Sequence, residues 1–281
     1  MESIAHYKIL ERVGESRLGE VFRARDTRLG RTVAIKLLKP GIQNDPAARE
    51  MFLAAASAAM ALSHPNIAAL YEVGDDAGQA YLACEFVPGD SLDRLIAGHP
   101  LNARRAIDLT AQIADALADA HAAEMTHGDL TRDNIIVTPK GNAKILDFGF
   151  SRWTRADGRR GDEAADISAL GKLFFEMLTG NAPSASDVVA PTRLNRSLPA
   201  EVDDIALKAL GAAGERSYEA AATLAAELRS VAAILDVRTQ AADKSRPIPS
   251  RGGARRSKAR WIVLAMVVAA AALVAAWWWM R

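Results

Sequence analysis

The chain has 281 residues, half of them hydrophobic and a quarter charged, which is ordinary globular composition and enough for a buried core. The net charge of +1 is unevenly distributed: the first 243 residues hold 27 basic and 34 acidic residues, a net charge of −7 that argues against nucleic acid as a partner. The single cysteine, Cys84, excludes an internal disulfide, and five scattered histidines offer no zinc-binding pattern.

The first part of the chain predicts a small lobe rich in β-structure. Residues 7–38 alternate between apolar and polar positions and are interrupted by two turns, which predicts three antiparallel strands. Residues 46–62 are rich in alanine and predict a helix. Two further strands are expected at 67–74 and 80–87, so we assign residues 1–87 to this lobe.

After residue 88 the pattern becomes helical. Apolar residues from Ala106 to Leu117 recur at helical spacing and predict a long helix that begins near Leu101. Two short strands are expected in NIIVTP and AKILDF, and three more helices in ISALGKLFFEMLTG, EVDDIALKALGAA and SYEAAATLAAELRSVAAIL. The predicted fold class is therefore α+β, with a helical lobe at residues 88–236.

The C-terminal part predicts a linker followed by a membrane helix. Residues 237–260 are basic and rich in Pro, Gly and Ser towards their end, which predicts a disordered linker beside the membrane. The segment Trp261–Met280 has twenty uncharged residues, about 30 Å as a helix, with tryptophans at both ends. Its basic flank predicts a single-pass helix with the preceding residues in the cytoplasm. A buried Ala-rich helix is the alternative.

Small residues in the membrane segment raise the question of a homodimer. Ala265 and Ala269, and likewise Ala272 and Ala276, are four residues apart and would let two helices approach closely. An Ala-rich segment also produces such pairs by chance.

Two motifs in the first lobe point to a phosphate ligand. GESRLGEV, residues 14–21, places a glycine turn between two strands, where backbone N–H groups can meet phosphates; a plain hairpin turn is the alternative. VAIK, residues 33–36, places Ala34 and Lys36 on the same face of the next strand. A lysine beside a small residue and a glycine turn suits a phosphate ligand beneath a flat base.

Two motifs in the second lobe supply oxygen ligands. HGDLTRDN, residues 127–134, contains Asp129 five residues before Asn134, and Asp147 precedes a glycine in the sequence DFG. Carboxylate and amide oxygens are hard ligands that suit magnesium. Either aspartate alone could instead belong to a turn or a helix cap, but the asparagine beside them favours a metal site.

In order and approximate spacing, these four motifs resemble those of protein kinases. The segments SHPNIAALYEVG and EFVPGDSL are also similar to those that join helix C to the hinge. Over roughly residues 7–236 the chain resembles the bacterial, eukaryotic-like serine/threonine protein kinases. The resemblance implies a bilobal kinase fold in the cytoplasm, ATP and Mg²⁺ as cofactors, protein serine or threonine hydroxyls as acceptors, and anchorage in the inner membrane.

The resemblance also assigns roles to residues by matched position. Lys36 would hold the α- and β-phosphates, and Asp129 would orient the substrate hydroxyl and accept its proton. Asn134 and Asp147 would ligate magnesium. The implied nucleotide-binding residues are Gly14, Ser16, Gly19, Val21, Ala34, Lys36, Cys84 at the gatekeeper position, the hinge residues Glu85 and Val87, Ile136 and Asp147.

The chain departs from the family pattern at residues that support catalysis. Ala55 stands where helix C supplies a glutamate to pair with the strand lysine, and Glu50, five residues earlier, lies about 140° further around the helix. Gly128 replaces the arginine that in the family binds a phosphate on the activation loop. Thr131 replaces the lysine that neutralises the transferred phosphoryl group, and Arg132 beside it is expected to point away.

Elements that dock and position substrates are also shortened. Ser16 replaces the second glycine of the loop, which is tolerated if its φ is negative. Only nineteen residues lead from Asp147 to Asp166, and the A-P-E triplet is absent. The stretch 181–200 is too short for an ordinary helix G.

Three functions fit these observations. The first is a membrane-anchored serine/threonine kinase that is weak or atypically regulated. The second is a nucleotide-binding pseudokinase that acts as a signalling scaffold at the membrane. The third is a small-molecule phosphotransferase, because HGD with a downstream asparagine also occurs in aminoglycoside-type kinases, although VAIK, DFG and the hinge fit protein kinases better.

Overall fold

The computed structural model describes residues 2–43, 45–155, 161–184, 187–211, 217–244 and 255–280. Contacts divide the chain into two compact units, Met1–Leu235 and Asp236–Arg281. The elements in chain order are β1 (Ser3–Ile4), β2 (Tyr7–Glu15), β3 (Gly19–Asp26), β4 (Thr32–Leu38), α1 (Pro40–Gln43), α2 (Pro46–Ala61), β5 (Leu70–Asp76), β6 (Gln79–Glu85), β7 (Asp90–Ser91), α3 (Leu92–Ile96), α4 (Ala103–Ala122), a 3₁₀ turn (Arg132–Asn134), β8 (Ile135–Val137), β9 (Ala143–Ile145), α5 (Ser151–Thr154), α6 (Glu163–Thr179), α7 (Pro191–Leu194), α8 (Glu201–Leu210), α9 (Ala221–Lys244) and α10 (Arg255–Trp279).

A six-stranded antiparallel sheet forms the first lobe, in the order β1-β2-β3-β4-β6-β5. The three predicted N-terminal strands are confirmed, and the short β1 extends them. β4 lies in the interior of the sheet, where its residues are buried apart from Thr32. Its register places Lys36 opposite Val21 and Ala34 opposite Cys84, so the predicted phosphate ligand lies directly beside the strand that follows the glycine turn.

The predicted helix α2 buries one face, which carries Phe52, Ala56 and Ala59. Asp45 caps its first turn by accepting hydrogen bonds from the amides of the two residues after Pro46. Glu50 is exposed, as expected from its position on the helix.

The second lobe is built around α4 and α6, which pack together and whose apolar faces form one buried core with α8 and α9. The three-stranded sheet β7-β8-β9 adds Ile135, Val137 and Ile145 to that core. The bilobal α+β fold that the sequence predicts is therefore confirmed. The strand β8 directly follows the 3₁₀ turn that contains Asn134, so this small sheet holds one end of the predicted catalytic loop.

The C-terminal boundaries differ from the prediction. A disordered linker was expected over 237–260, but α9 continues to Lys244 and α10 begins at Arg255. Alanine, lysine and arginine in these stretches are strong helix formers, and they outweigh the charge. Residues 245–254 lie outside the described residues. Within the part of the chain that the structure describes, no helix combines the length and the apolar character of a membrane span.

Candidate active site

A cleft of about 790 Å³ is lined by residues of both lobes and contains almost all of the predicted site. This volume lies in the range of sites for small molecules and cofactors. Apolar walls come from Val13, Leu70 and Leu146 in addition to predicted residues. The predicted residues that line the cleft are Gly14, Ser16, Val21, Ala34, Lys36, Cys84, Glu85, Val87, Asp129, Asn134, Ile136 and Asp147.

Gly19 is the predicted site residue that does not line the cleft, and it shapes the glycine turn instead. A side chain at this position would place its Cβ 1.7 Å from the carbonyl oxygen of Leu37 on β4. Ser16 and Gly19 close the turn: the Ser16 amide donates to the Gly19 carbonyl at 2.8 Å, and the reverse bond is 3.2 Å. Ser16 keeps a negative φ, so its side chain fits without backbone strain.

Lys36 pairs with Asp147. This pair replaces the one that the family forms with a glutamate of helix C, since that position is Ala55 in this chain. Lys36 is buried, and its ammonium group contacts the Asp147 carboxylate. Burial would lower the pKa of Lys36, but the attraction of the Asp147 carboxylate outweighs it and raises that pKa. A positive charge is thereby fixed at the base of the cleft.

The catalytic loop holds its own polar residues in place. The Asn134 side-chain amide donates to the Asp129 carbonyl at 2.7 Å, and its oxygen accepts from the Thr131 amide at 2.9 Å. Because an amide oxygen has two lone pairs, this oxygen can still ligate a metal. The carboxylate of Asp129 lines the cleft and is contacted by Arg17, whose Nη1 lies 2.7 and 3.0 Å from its two oxygens.

Asp166, fully buried in the first turn of α6, anchors the backbone of this loop. Its carboxylate accepts hydrogen bonds from the His127 amide at 2.8 Å and the Gly128 amide at 2.6 Å, and lies 3.0 Å from Nε2 of His121. From the sequence, Asp166 serves only to measure the short stretch that follows Asp147. Asp166 closely follows two other acids, Asp162 and Glu163, and no local pattern in the sequence distinguishes it from them, although a buried carboxylate requires partners.

Gly128 is required by close packing of the activation segment. Its φ is +73°, and a Cβ at this position would lie 2.5 Å from Oγ of Ser151 and 2.8 Å from the Gly161 amide nitrogen. Arg155 donates a hydrogen bond to the Gly128 carbonyl at 3.0 Å. The shortened segment therefore lies directly on the catalytic loop and occupies the space that an arginine side chain at residue 128 would need.

Arg132 points away from the reaction centre, as expected. Its guanidinium lies 3.3 Å from Asp93 and 3.3 Å from Glu176. The cation beside Asp129 is instead Arg17, a residue that the sequence analysis missed. Its position at the tip of the glycine turn is the feature of the sequence that could have indicated a basic residue near the active site.

Aromatic packing connects α2 to the segment after DFG. The Phe52 ring stacks on Phe150 with centroids 5.0 Å apart and meets the edge of Trp153 at the same distance. Aromatic pairs in these geometries stabilise beyond the area they bury. This apolar contact holds α2 against the activation segment where the family pattern would have an ion pair with Lys36. The sequence has no local pattern that predicts this contact.

The hinge differs from the expectation in one respect: the backbone amide of Glu85 is already hydrogen-bonded within the protein. The Glu85 amide donates to the Ala69 carbonyl at 2.8 Å, and its carboxylate pairs with Lys144 at 2.8 Å. The candidates for binding a base are therefore the Glu85 carbonyl and the backbone of Val87. Behind them, burial raises the pKa of the Cys84 thiol to about 12, so this gatekeeper residue is a neutral thiol at physiological pH.

The donor set fits magnesium. Asp147 offers a carboxylate and Asn134 an amide oxygen, and magnesium usually completes such a set with phosphate oxygens and water. Within the described residues, no group of three or more His, Cys, Asp or Glu side chains is arranged for a metal.

Comparisons with known proteins agree with this geometry. The model of the protein kinase domain family matches residues 7–164. The chain is 31% identical over 259 residues to serine/threonine-protein kinase PrkC of Bacillus subtilis, covering 80% of this chain and 40% of that protein. It is 32% identical over 209 residues to PknA of Mycobacterium tuberculosis, covering 64% of this chain and 48% of that protein.

The chain thus spans less than half the length of these relatives. Among solved structures, the Mycobacterium tuberculosis PknI kinase domain matches with a TM-score of 0.69 at 22% identity. That match covers 82% of this chain and 97% of the PknI chain, and it shows the shared fold. The chain belongs to the protein kinase family, among the bacterial, eukaryotic-like serine/threonine kinases.

Proposed function

We propose that the chain transfers the γ-phosphoryl group of ATP to serine or threonine hydroxyls of proteins. One observation carries this proposal: Lys36, Asp129, Asn134 and Asp147 come from three separate segments of the chain and meet in a single cleft. Phosphoryl transfer needs positioned phosphates, a metal and an oriented nucleophile, and these four side chains match that list.

Each residue has one task in the proposed reaction. Lys36 holds the phosphates of ATP, and Asp129 orients the substrate hydroxyl and accepts its proton. Asn134 and Asp147 hold magnesium, which when bound neutralises charge on the phosphate oxygens. The apolar walls of the cleft hold the adenine ring.

We expect the activity to be slow and regulated in an unusual way. Gly128 has no side chain that can bind a phosphate on the activation loop. Thr131 is neutral and cannot stabilise the negative charge of the transferred phosphoryl group. Glu50 cannot replace the missing helix-C glutamate because it is exposed. The described part of the short activation segment packs on the catalytic loop, which leaves little surface for a peptide substrate.

The full chain incubated with radiolabelled ATP and magnesium is expected to label itself and casein. The Asp129→Asn variant should remove the label, because an amide cannot accept the hydroxyl proton. Magnesium-dependent ATP binding without any label above that variant would instead support the pseudokinase alternative. Phosphate consumption that requires a sugar or an aminoglycoside would support the small-molecule alternative.

We also propose that Trp261–Met280 anchors the chain in the cytoplasmic membrane, with the kinase domain in the cytoplasm. This proposal rests on the sequence, because the side chains of 255–264 lie outside the described residues. It is supported by twenty uncharged residues bounded by tryptophans, by the basic flank, and by exposure of the apolar side chains from Ala265 to Met280. A dimer through its small residues stays a prediction.

The anchor can be tested by replacing Val268 and Leu273 with lysine in the full chain. Each lysine near the centre of a membrane helix opposes insertion by about 3 kcal/mol, so we expect the protein to move from the membrane pellet to the carbonate-soluble fraction. The Val268→Ala/Leu273→Ala variant is the control and should stay in the pellet. Equal sedimentation of the lysine and alanine variants would contradict the proposal.

A further inference from the structure

If the chain has the proposed kinase activity, its catalytic loop lacks a cation at residue 131, where the family has a lysine, and another residue must supply that charge. During transfer, negative charge spreads over the oxygens of the phosphoryl group, and a fixed cation beside them stabilises the transition state. Thr131 is neutral. Arg132 is paired with Asp93 and Glu176 and is not among the described residues that line the cleft.

Most cations that do line the cleft have other partners. Besides Lys36, these are Lys39, whose ammonium lies 3.4 Å from Glu15, and Arg94, whose guanidinium lies 3.4 Å from Asp90. Glu15 lies at the end of β2 and Lys39 directly after β4, whereas Asp90 and Arg94 are four residues apart in the chain. Neither cation is placed beside the aspartate that receives the hydroxyl proton.

The glycine turn places Arg17 over that aspartate. Ser16 and Gly19 close the turn, and Leu18 between them is fully buried in the apolar cluster that includes Phe52. Burial of Leu18 fixes the tip of the turn against the lobe. Arg17, the residue before it, is left on the cleft side of the tip.

Arg17 makes polar contacts with two parts of the active site. Its Nη1 lies 2.7 and 3.0 Å from the carboxylate oxygens of Asp129, and 3.2 Å from the carbonyl oxygen of Thr154 in the activation segment. About half of its side chain is exposed. An ion pair this exposed is weak, so the guanidinium can exchange part of its contact with the carboxylate for a phosphate oxygen. Its planar array of N–H donors matches phosphate geometry.

We infer that Arg17 is a catalytic residue that supplies, from the glycine turn, the positive charge that the catalytic loop lacks at Thr131. In the step it assists, the substrate hydroxyl oxygen forms a bond to the γ-phosphorus of ATP. The bond from that phosphorus to the bridging oxygen breaks, ADP leaves with its electron pair, and the hydroxyl proton moves to Asp129. Arg17 binds the oxygens of the phosphoryl group during its transfer and holds the tip of the turn near Asp129.

Steady-state kinetics of the full chain with magnesium-ATP and casein test this role. Arg17→Ala is expected to lower kcat about 10²-fold, the usual effect of removing one donor to a charged transition state. The KM for ATP should change less than about threefold, because the charge acts on the transition state more than on bound ATP. Arg17→Lys should recover most of the rate because it keeps the charge.

Two further variants separate catalysis from folding. Arg12→Ala removes an arginine from the same hairpin with the same 53% exposure and an ion pair with Glu20, and it should leave kcat within about twofold of wild type. The Arg17→Ala/Thr131→Lys variant returns a cation to the loop position of the family, and it should regain at least about tenfold in kcat over Arg17→Ala.

The possible results are distinct. Equal kcat for Arg17→Ala and wild type would overturn the inference while leaving the proposed kinase activity intact. A higher kcat for Arg17→Ala would also overturn it, and would show that the contact with Asp129 closes the site. A wild-type chain with no label above Asp129→Asn would overturn the proposed activity, and the inference with it.

Discussion

Replacement of Asp147 with asparagine is expected to lower phosphoryl transfer by about 10³-fold or more, because this carboxylate is the proposed charged ligand of magnesium in the cleft. The same change should destabilise the fold by about 3 kcal/mol, since it leaves the buried ammonium of Lys36 without a counter-charge. Asparagine tolerates the left-handed backbone at this position, where φ is +59°. The losses of activity and stability therefore come from the removed charge and not from backbone strain. Label transfer and urea unfolding of the full chain measure both effects.

The double variant Lys36→Met/Asp147→Asn makes the prediction specific. It removes both charges, so it should recover part of the lost stability relative to Asp147→Asn and still be inactive. Lys144→Met is the control: it breaks the more exposed pair with Glu85 and should cost only about 1 kcal/mol. A double variant whose destabilisation equals the sum of those of Lys36→Met and Asp147→Asn, each measured alone, would show that Lys36 and Asp147 do not depend on each other.

The four motif residues were predictable because local sequence places each of them. Lys36 lies on a strand whose alternating pattern and flanking turns define its register, and Asn134 lies where a turn leads into an apolar strand. Asp129 and Asp147 follow from the order of the motifs in the family. Lys36 lies within β4 and Asn134 ends the 3₁₀ turn, while the two aspartates lie in loops next to short strands or turns. The fold brings these residues together once its class is known.

The partner of Lys36 could not be chosen from the sequence. Ala55 replaces the family's glutamate, and the sequence does not indicate which other acid pairs with Lys36, because the contact with Asp147 joins residues 111 positions apart. The same limit applies to Arg17, which meets Asp129 only because Leu18 is buried beside it. Neither contact has a local pattern in the chain.

Gly128 illustrates a second limit. In the sequence, glycine replaces the family's arginine at this position, which indicates that regulation through a phosphate on the activation loop is lost. In the structure it is a glycine with positive φ that faces Gly161 and Ser151, so the substitution and the short activation segment are one packing feature. A single residue cannot indicate this, because the close approach comes from Ser151 and Gly161, which lie 23 and 33 residues later in the chain.

Replacement of Asp166 with alanine is expected to destabilise the kinase domain more than any surface change in the same helix. The carboxylate is fully buried and binds two amides of the catalytic loop, at His127 and Gly128, together with the ring of His121. Loss of these bonds leaves buried donors without acceptors, at a cost of about 3–5 kcal/mol. For a domain of this size, that corresponds to a fall in Tm of about 10 °C in a thermal melt.

Asp162→Ala is the matched control because it removes the same residue type from the same helix. Asp162 caps α6 by accepting from the Ala165 amide at 2.7 Å, and its loss should cost only about 1 kcal/mol. The two variants also separate stability from catalysis. At a temperature where both are folded, Asp166→Ala should still have lost most of its label transfer, because the backbone that carries Asp129 is no longer held, whereas Asp162→Ala should match wild type. Equal activity in the two variants would mean that the catalytic loop keeps its position without Asp166, and that His127 and Gly128 are fixed by the short activation segment instead.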